Sequence, residues 1–303
     1  MPDPRPSNTA VSLPLVVVVI LALLLAILGE VFLVSEAQGE SIERHADSMS
    51  LTDREQELLQ LLGDGVVGDR STLSPINDVT HWLPLVSQSG EYVYGSGERK
   101  GSIRTDTMEW VKRKPDAPPG SDEGGWSLST GKKRVEYFLE QDGNLLLPTE
   151  LDLSEGVVSV FDPPEPVLLH GVKPGVPQVS ETSVKVYDLH DPHHLKYTGS
   201  LQITYIDKGA YEVTVPSGTF KARLISITYR GKVGPAHVSA MSMAFYAKGV
   251  GRVAYIRRNH VSAFLVYDKT TQWGFLLHDV SSLPEDEGQP SPKNSVPGTP
   301  ATP

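Results

Sequence analysis

The sequence predicts a mainly β protein: one antiparallel curved sheet or half-open barrel, preceded by one N-terminal transmembrane helix and a short helical spacer. Three observations predict it. Tyr211, Val213 and Val215 alternate with Glu212 and Thr214, the period of two of a strand with one dry face and one wet face. From Trp82 onward, turn residues recur at short intervals, at Ser89-Gly90, Gly95-Ser96-Gly97, Asp142-Gly143, Asp207-Lys208-Gly209 and Asp268-Lys269, as expected where short strands follow one another. From Val11 to Gly29 no residue is charged, and after Glu30 the apolar run continues to Val34, which meets the length of about 18 residues that a spanning helix needs.

In chain order, residues 1–10 are a short polar, Pro-rich tail. Residues 11–34 are expected to act as a transmembrane signal-anchor. The alternative is a cleaved signal, because Ser35-Glu36-Ala37 offers a small-x-small site after Ala37, although a signal's apolar core is ordinarily shorter, about 7–15 residues. Arg5 precedes the span and Glu36, Glu40 and Glu43 follow it. That asymmetry favours the N-terminus inside and the bulk of the chain on the extracytoplasmic side, periplasmic or cell-surface. Residues 35–77 read as a partly helical spacer. Within it Thr52-Asp53-Arg54-Glu55 is a capping box, Leu58, Leu59, Leu61 and Leu62 follow, and Gly63 stops the helix. Residues 78–280 form the β-rich domain. The stretch 115–125 is a surface loop by composition, and 163–177 holds too many prolines for a central strand, so it is expected to be a crossing or edge segment. Trp273, Phe275 and Leu277 carry the last strand. Residues 281–303, rich in Pro, Ser, Glu and Gly, bury too little apolar surface to order themselves.

The densest strand-and-turn signal is YEVTVPSGTF, Tyr211–Phe220. Pro216-Ser217-Gly218 makes the turn, because proline presets its torsion and glycine accepts a positive φ. Phe220, Ala222 and Leu224 then share one face, after which Ile225, Ile227 and Tyr229 carry the apolar pattern. That change of phase implies a β-bulge or a strand buried on both faces. FYAKGVGRVAY, Phe245–Tyr255, repeats the logic around Gly249 and Gly251. Together these motifs resemble TapB-like bacterial envelope domains, related in shape to the LolA-type half-open β-barrel. The matching residues are Val213, Val215 and Pro216 to Phe220, then Tyr246, Gly249, Val250, Gly251 and Val253. Trp82-Leu83-Pro84-Leu85 with Gly90 and Tyr92-Val93-Tyr94 is similar to the family's opening strand, and Tyr137, Asp142-Gly143 and Phe161 to Pro164 fall at its middle hairpin and Pro-rich crossing. Members are commonly lipoproteins, an anchorage closed to a chain without cysteine. The resemblance implies a non-enzymatic protein whose concave β surface binds an apolar ligand, a lipid or an envelope protein.

Composition excludes several classes. With 37 Asp and Glu against 27 Lys and Arg and no Cys, the chain lacks the broad basic surface that nucleic acid requires, and thiolate chemistry is absent. No cofactor motif is present: Gly249-Val250-Gly251 lacks the third glycine of a dinucleotide fingerprint, and no G-x-S-x-G elbow occurs. Asp188-Leu189-His190-Asp191-Pro192-His193-His194 is the densest ligand-like cluster. A metal-dependent hydrolase using His190, His193 and His194 is therefore the alternative function, against a solvated hairpin loop in which they do nothing. A purely structural interaction module, with the Pro-rich tail as docking peptide, is the other. Met241, Met243, Phe245 and Tyr255 are either core or the lining of an apolar cavity.

Overall fold

The computed structural model describes residues 49–112, 124–263 and 267–279. The span at 11–34 and the tail at 281–303 lie outside them; among the described residues no helix is long and apolar enough to cross a membrane. The described elements are helix α1 (Asp53–Gln60), a 3-10 turn (Val79–His81) and thirteen strands: β1 (Val67–Ser71), β2 (Gln88–Ser96), β3 (Ile103–Val111), β4 (Gly125–Thr130), β5 (Arg134–Gln141), β6 (Asn144–Asp152), β7 (Val157–Leu168), β8 (Gln178–Asp188), β9 (Leu195–Val215), β10 (Gly218–Val233), β11 (Ala236–Ala247), β12 (Gly251–Ala263) and β13 (Tyr267–Asp279).

Each strand from β2 to β13 pairs antiparallel with its neighbours in sequence, β13 pairs with β2, and β8 with β9, so twelve strands close on themselves. The barrel is thus closed, where the sequence implied a curved sheet or a half-open barrel; closure satisfies the two edges that an open sheet would leave unpaired. β1, inside the expected spacer, lies outside the circuit. The 21-residue β9 pairs with β8 over its first half and with β1 over Ala210–Val213.

Alternation decides what faces the lumen. On β10, Phe220, Ala222 and Leu224 point outward, and Arg223, Ile225, Ile227 and Tyr229 point inward. The pattern there never slips: the first half is apolar outside because α1 covers it, the second inside because the core lies there. The bulge sits on the partner strand, where Lys208 and Gly209 of β9 together oppose Leu224. Asp207-Lys208-Gly209 is therefore a bulge and not a turn, and Ser89-Gly90 and Asp268-Lys269 also lie within strands. Pro216-Ser217, Asp142-Gly143 and Lys248 to Val250 do turn the chain between strands. Asp142 and Gly143 adopt φ of 52° and 74°, the left-handed pair of a tight hairpin.

The prolines of 163–177 do not form an edge. Pro163, Pro164 and Pro166 lie in β7, between β6 and β8. The ladder to β6 skips from Val160 to Glu165, and the ladder to β8 ends at Asp162, so Pro163 and Pro164 stand where no backbone donor is required. Trp82-Leu83-Pro84-Leu85 is likewise no strand. It follows the 3-10 turn in a segment, 73–85, that plugs one end of the barrel. Ile76, Val79, Trp82 and Leu83 are buried among the lumen side chains. The Gly171 amide donates to the Ile76 carbonyl (2.8 Å) and the Gly249 amide to that of His81 (2.7 Å). Arg223 donates to the carbonyls of Leu73 (3.0 Å) and Ser74 (2.7 Å) while pairing with Asp207 at 2.7 Å.

Helix α1 covers the outer wall. Leu58, Leu59 and Leu62 pack with Met241, Met243, Phe245 and Ile256. The capping box forms as expected: the Glu55 amide donates to Thr52 Oγ1 and the Thr52 amide to Glu55 Oε2. The same buried Glu55 pairs with Lys208 Nζ at 2.9 Å and accepts from Ser226 Oγ at 2.9 Å. One carboxylate therefore caps the helix and docks it.

Candidate ligand cavity in the barrel lumen

The plug closes the end that carries the β5–β6, β7–β8, β9–β10 and β11–β12 connections. Toward the opposite mouth, on the side walled by β2–β6, β12 and β13, the lumen holds a cavity of about 550 Å³. Its lining follows from strand alternation. β13 contributes Lys269, Thr271, Trp273 and Phe275, β2 Tyr94, β3 Arg104, β5 Arg134 and Glu136, and β12 Arg252 and Tyr255. Glu98, Arg99, Lys133 and Glu155 stand on the hairpins at the rim.

The wall is charged and aromatic. The Arg104 guanidinium lies 3.6 Å from the centroid of the Phe275 ring, Arg252 lies 5.1 Å from those of Phe275 and Tyr255, and Arg99 lies 4.3 Å from that of Tyr94. Phe275 and Tyr255 are themselves stacked at 5.0 Å, and the Tyr92 hydroxyl donates to the Arg252 carbonyl at 3.0 Å. Arg104 pairs through Nη2 with Asp106 at 2.7 Å; its Nε and Asp106 Oδ1 are buried without a protein partner. Burial pushes the Asp106 carboxyl above its usual range, against the pull of Arg104 and Arg252.

Below this layer a second set of ionisable groups forms the floor. Arg134 Nε approaches Glu150 Oε1 at 3.2 Å, but that oxygen accepts no aligned hydrogen bond, so the pair is a Coulombic contact. Arg257 donates to Asn259 Oδ1 at 2.7 Å. Glu165, on the proline-rich strand, is pushed up to about 8, first by burial and then by the nearby Glu150, against the opposing pull of Arg257 and the hydrogen bond with Tyr229. It is therefore largely protonated at neutral pH, and burial raises Glu150 as well, against the pull of Arg134.

The sequence-derived candidates lie elsewhere. His190, His193 and His194 sit exposed in the β8–β9 hairpin. The Asp188 carboxylate there accepts from the His190 amide and pairs with Lys196 at 2.7 Å, and Asp191 accepts from the His193 amide. The Lys196 hydrogen bond foremost, and then the His190 amide, hold Asp188 down at about 2. Among the described residues no three His, Asp or Glu side chains converge as a metal ion requires. Met241, Met243 and Phe245 face α1 on the outer wall and only Tyr255 faces the lumen, so they do not line one cavity. The apolar part of the lumen is filled by the plug and the core, which leaves a polar cavity where the sequence implied an apolar one.

Sequence reasoning missed Arg104, Arg134 and Arg252. The signal was present: Arg104 and Asp106 are in phase with Met108, and Arg134 and Glu136 with Phe138, so charges occupied positions whose strand-mates were core.

No protein-family model matches the chain, so the TapB-like resemblance rests on its motifs alone. No curated protein matches it either. Among solved structures, a protein from Bacteroides fragilis described as exported and as having a YmcC-like fold aligns at 10% identity and a TM-score of 0.32, over 63% of this chain and 92% of its own. A protein from Parabacteroides distasonis described as a lipoprotein aligns at 11% identity and a TM-score of 0.31, over 70% and 99%.

Proposed function

We propose that the protein is a non-enzymatic ligand-binding barrel of the cell envelope. The segment 11–34 holds it at the membrane, the barrel stands on the extracytoplasmic side, and the lumen receives a small ligand through its unplugged mouth. The observation that carries this reading is the asymmetry of the lumen: one end is stoppered by residues 73–85, and the other retains about 550 Å³ bordered by exposed Arg99, Lys133 and Lys269. That volume falls in the range of small-molecule sites, about 300–1,000 Å³. The outer wall supports an aqueous setting for the barrel. Ser200, Gln202, Arg230, Lys232, His237 and Arg258 face outward while Leu201, Ile203 and Val238 face inward, the reverse of a lipid-facing barrel.

The test is purification of the full chain in mild detergent, native mass spectrometry, and extraction of whatever co-purifies. A Thr271→Trp variant, which fills the lumen, serves as the comparison. A small molecule carried by the native chain and lost from the variant is the expected result. The same molecule retained by the filled variant would place binding elsewhere and end the reading.

A further inference from the structure

We propose that the lumen cavity is an oxyanion site: its ligand enters with a compact phosphate or carboxylate group, which the N–H edges of Arg99, Arg104 and Arg252 receive. This rests on the ligand-binding reading above and narrows it to one chemistry.

Each of the three guanidinium groups lies over an aromatic ring: Arg99 over Tyr94, Arg104 over Phe275, and Arg252 beside both Phe275 and Tyr255. A planar guanidinium over a ring face is held in orientation while its donors remain in its own plane, directed away from the ring. The same arrangement occupies faces of Tyr94, Phe275 and Tyr255, so these three rings do not offer a bare platform on which a neutral sugar ring would stack; Trp273, also in the lining, carries no guanidinium among the described residues. The donors have acceptor capacity to fill. Arg104 is only 8% exposed; its Nε has neither a protein partner nor accessible surface, Nη2 is taken by Asp106, and Nη1 is the donor left for a ligand. Arg252 makes no ion pair among the described residues, and its carbonyl accepts from the Tyr92 hydroxyl. Guanidinium donors held in a protein wall are best satisfied by an ionised acceptor.

The carboxylates that face the site do not remove this demand. Asp106 takes one edge of Arg104. Asp152 is engaged by its own turn, accepting from the Ser154 amide and hydroxyl and the Glu155 amide. Glu98 and Glu155 stand at the rim, and Glu136 is the carboxylate left within the field of Arg252. Six cationic side chains line the cavity against those four of Glu98, Glu136, Asp152 and Glu155. On a chain of net charge −10, the wall of this cavity therefore carries more cations than carboxylates.

The experiment titrates the full chain by calorimetry with inorganic phosphate, hexyl phosphate and the neutral hexyl glucoside, at low and high salt. The expected result is binding of a phosphate probe but not of the glucoside, weakening as salt rises. Arg252→Gln should weaken that binding by about tenfold or more, the loss expected for one charge-assisted contact, with an unchanged unfolding temperature. Arg252→Lys should recover only part, because a point charge does not reproduce the planar fork. Arg104→Gln is the second variant. Hexyl phosphate binding alone would identify an anionic amphiphile as the source, and equal binding of both phosphates a free oxyanion. Binding of the glucoside, indifferent to Arg252→Gln, would overturn the oxyanion assignment and leave the ligand-binding reading standing. No binding of either phosphate would overturn the assignment as well, and retention of a co-purifying molecule by the native chain would then decide the broader reading separately.

Discussion

Replacing Arg223 with methionine should loosen the plug and destabilise the whole barrel. Arg223 and Asp207 are each 1% exposed and meet through Nε (2.9 Å) and Nη2 (2.7 Å). The free edge of the guanidinium donates to Leu73 and Ser74, the first residues of the plug. Burial already pushes the Asp207 carboxyl up, and Arg223 foremost, with the Gly209 amide, pulls it back. Arg223→Met leaves that carboxylate buried and unpaired, a change that costs about 3–5 kcal/mol when one partner of a buried pair is removed. For a domain of this size about 1 kcal/mol corresponds to roughly 2–4 °C in Tm, so the expected fall is on the order of 6–20 °C at neutral pH. The double variant Arg223→Met with Asp207→Leu removes the stranded charge and should recover most of the loss, since a buried pair exchanged for apolar groups is often near neutral. Thermal unfolding followed by near-ultraviolet circular dichroism measures both. Hydrogen exchange at the Gly171 and Gly249 amides, which bond to plug carbonyls, reports whether the plug opens first. A single variant that loses less than about 1 kcal/mol, or a double variant as unstable as the single, would refute the reasoning.

Two further outcomes concern the floor and the wall. Glu165 keeps its proton to about 8 in the folded chain against 4.5 for an ordinary glutamate. The folded state therefore binds the extra proton between those limits, and stability should fall as pH rises through that window. Glu165→Gln should flatten the slope and stabilise the protein at pH 8 by an amount on the order of a few kcal/mol, read from urea unfolding at pH 5 and pH 8; an unchanged slope would contradict the burial argument. Gly199→Ala would place a Cβ 2.0 Å from the Lys232 carbonyl oxygen and 2.5 Å from Val233 Cα, so β9 and β10 would have to separate. A loss of about 2 kcal/mol or more is expected in the same assay, against a change within about 0.5 kcal/mol for the neighbouring exposed Ser200→Ala.

Local pattern made the β class, the capping box at Thr52 and Glu55 and the turns at Pro216, Asp142 and Gly249 legible in the sequence, because each depends on residues within a few positions. Closure was not legible. It depends on β13 meeting β2 across about half the chain, and no local signal reports that pairing. The phase change at Leu224 and Ile225 was visible but ambiguous: deciding between a bulge and two buried faces needed the position of α1 on the outer wall. The proline run misled for a related reason. Proline argues against a ladder position, and Pro163 and Pro164 do avoid the ladder, but within a strand whose neighbours they skip. The cavity stayed hidden because its residues come from seven strands. Arg104, Arg134 and Arg252 read singly as solvated charges, and only the barrel's parity turns them inward together. The histidine loop showed the opposite error, since density in sequence did not become convergence in space.

The lumen is open at one mouth and stoppered at the other, and the absence of any native cysteine makes that asymmetry directly measurable. Single cysteines at Thr271, on the cavity wall, and at Leu147, in the filled core beside the plug, can be exposed to a sulfonate-bearing and a trimethylammonium-bearing methanethiosulfonate. Thr271→Cys should be labelled in the folded protein, with the anionic reagent favoured once each rate is divided by that reagent's rate with a free thiol, while Leu147→Cys should react only on unfolding. Equal protection of both positions would contradict an open mouth.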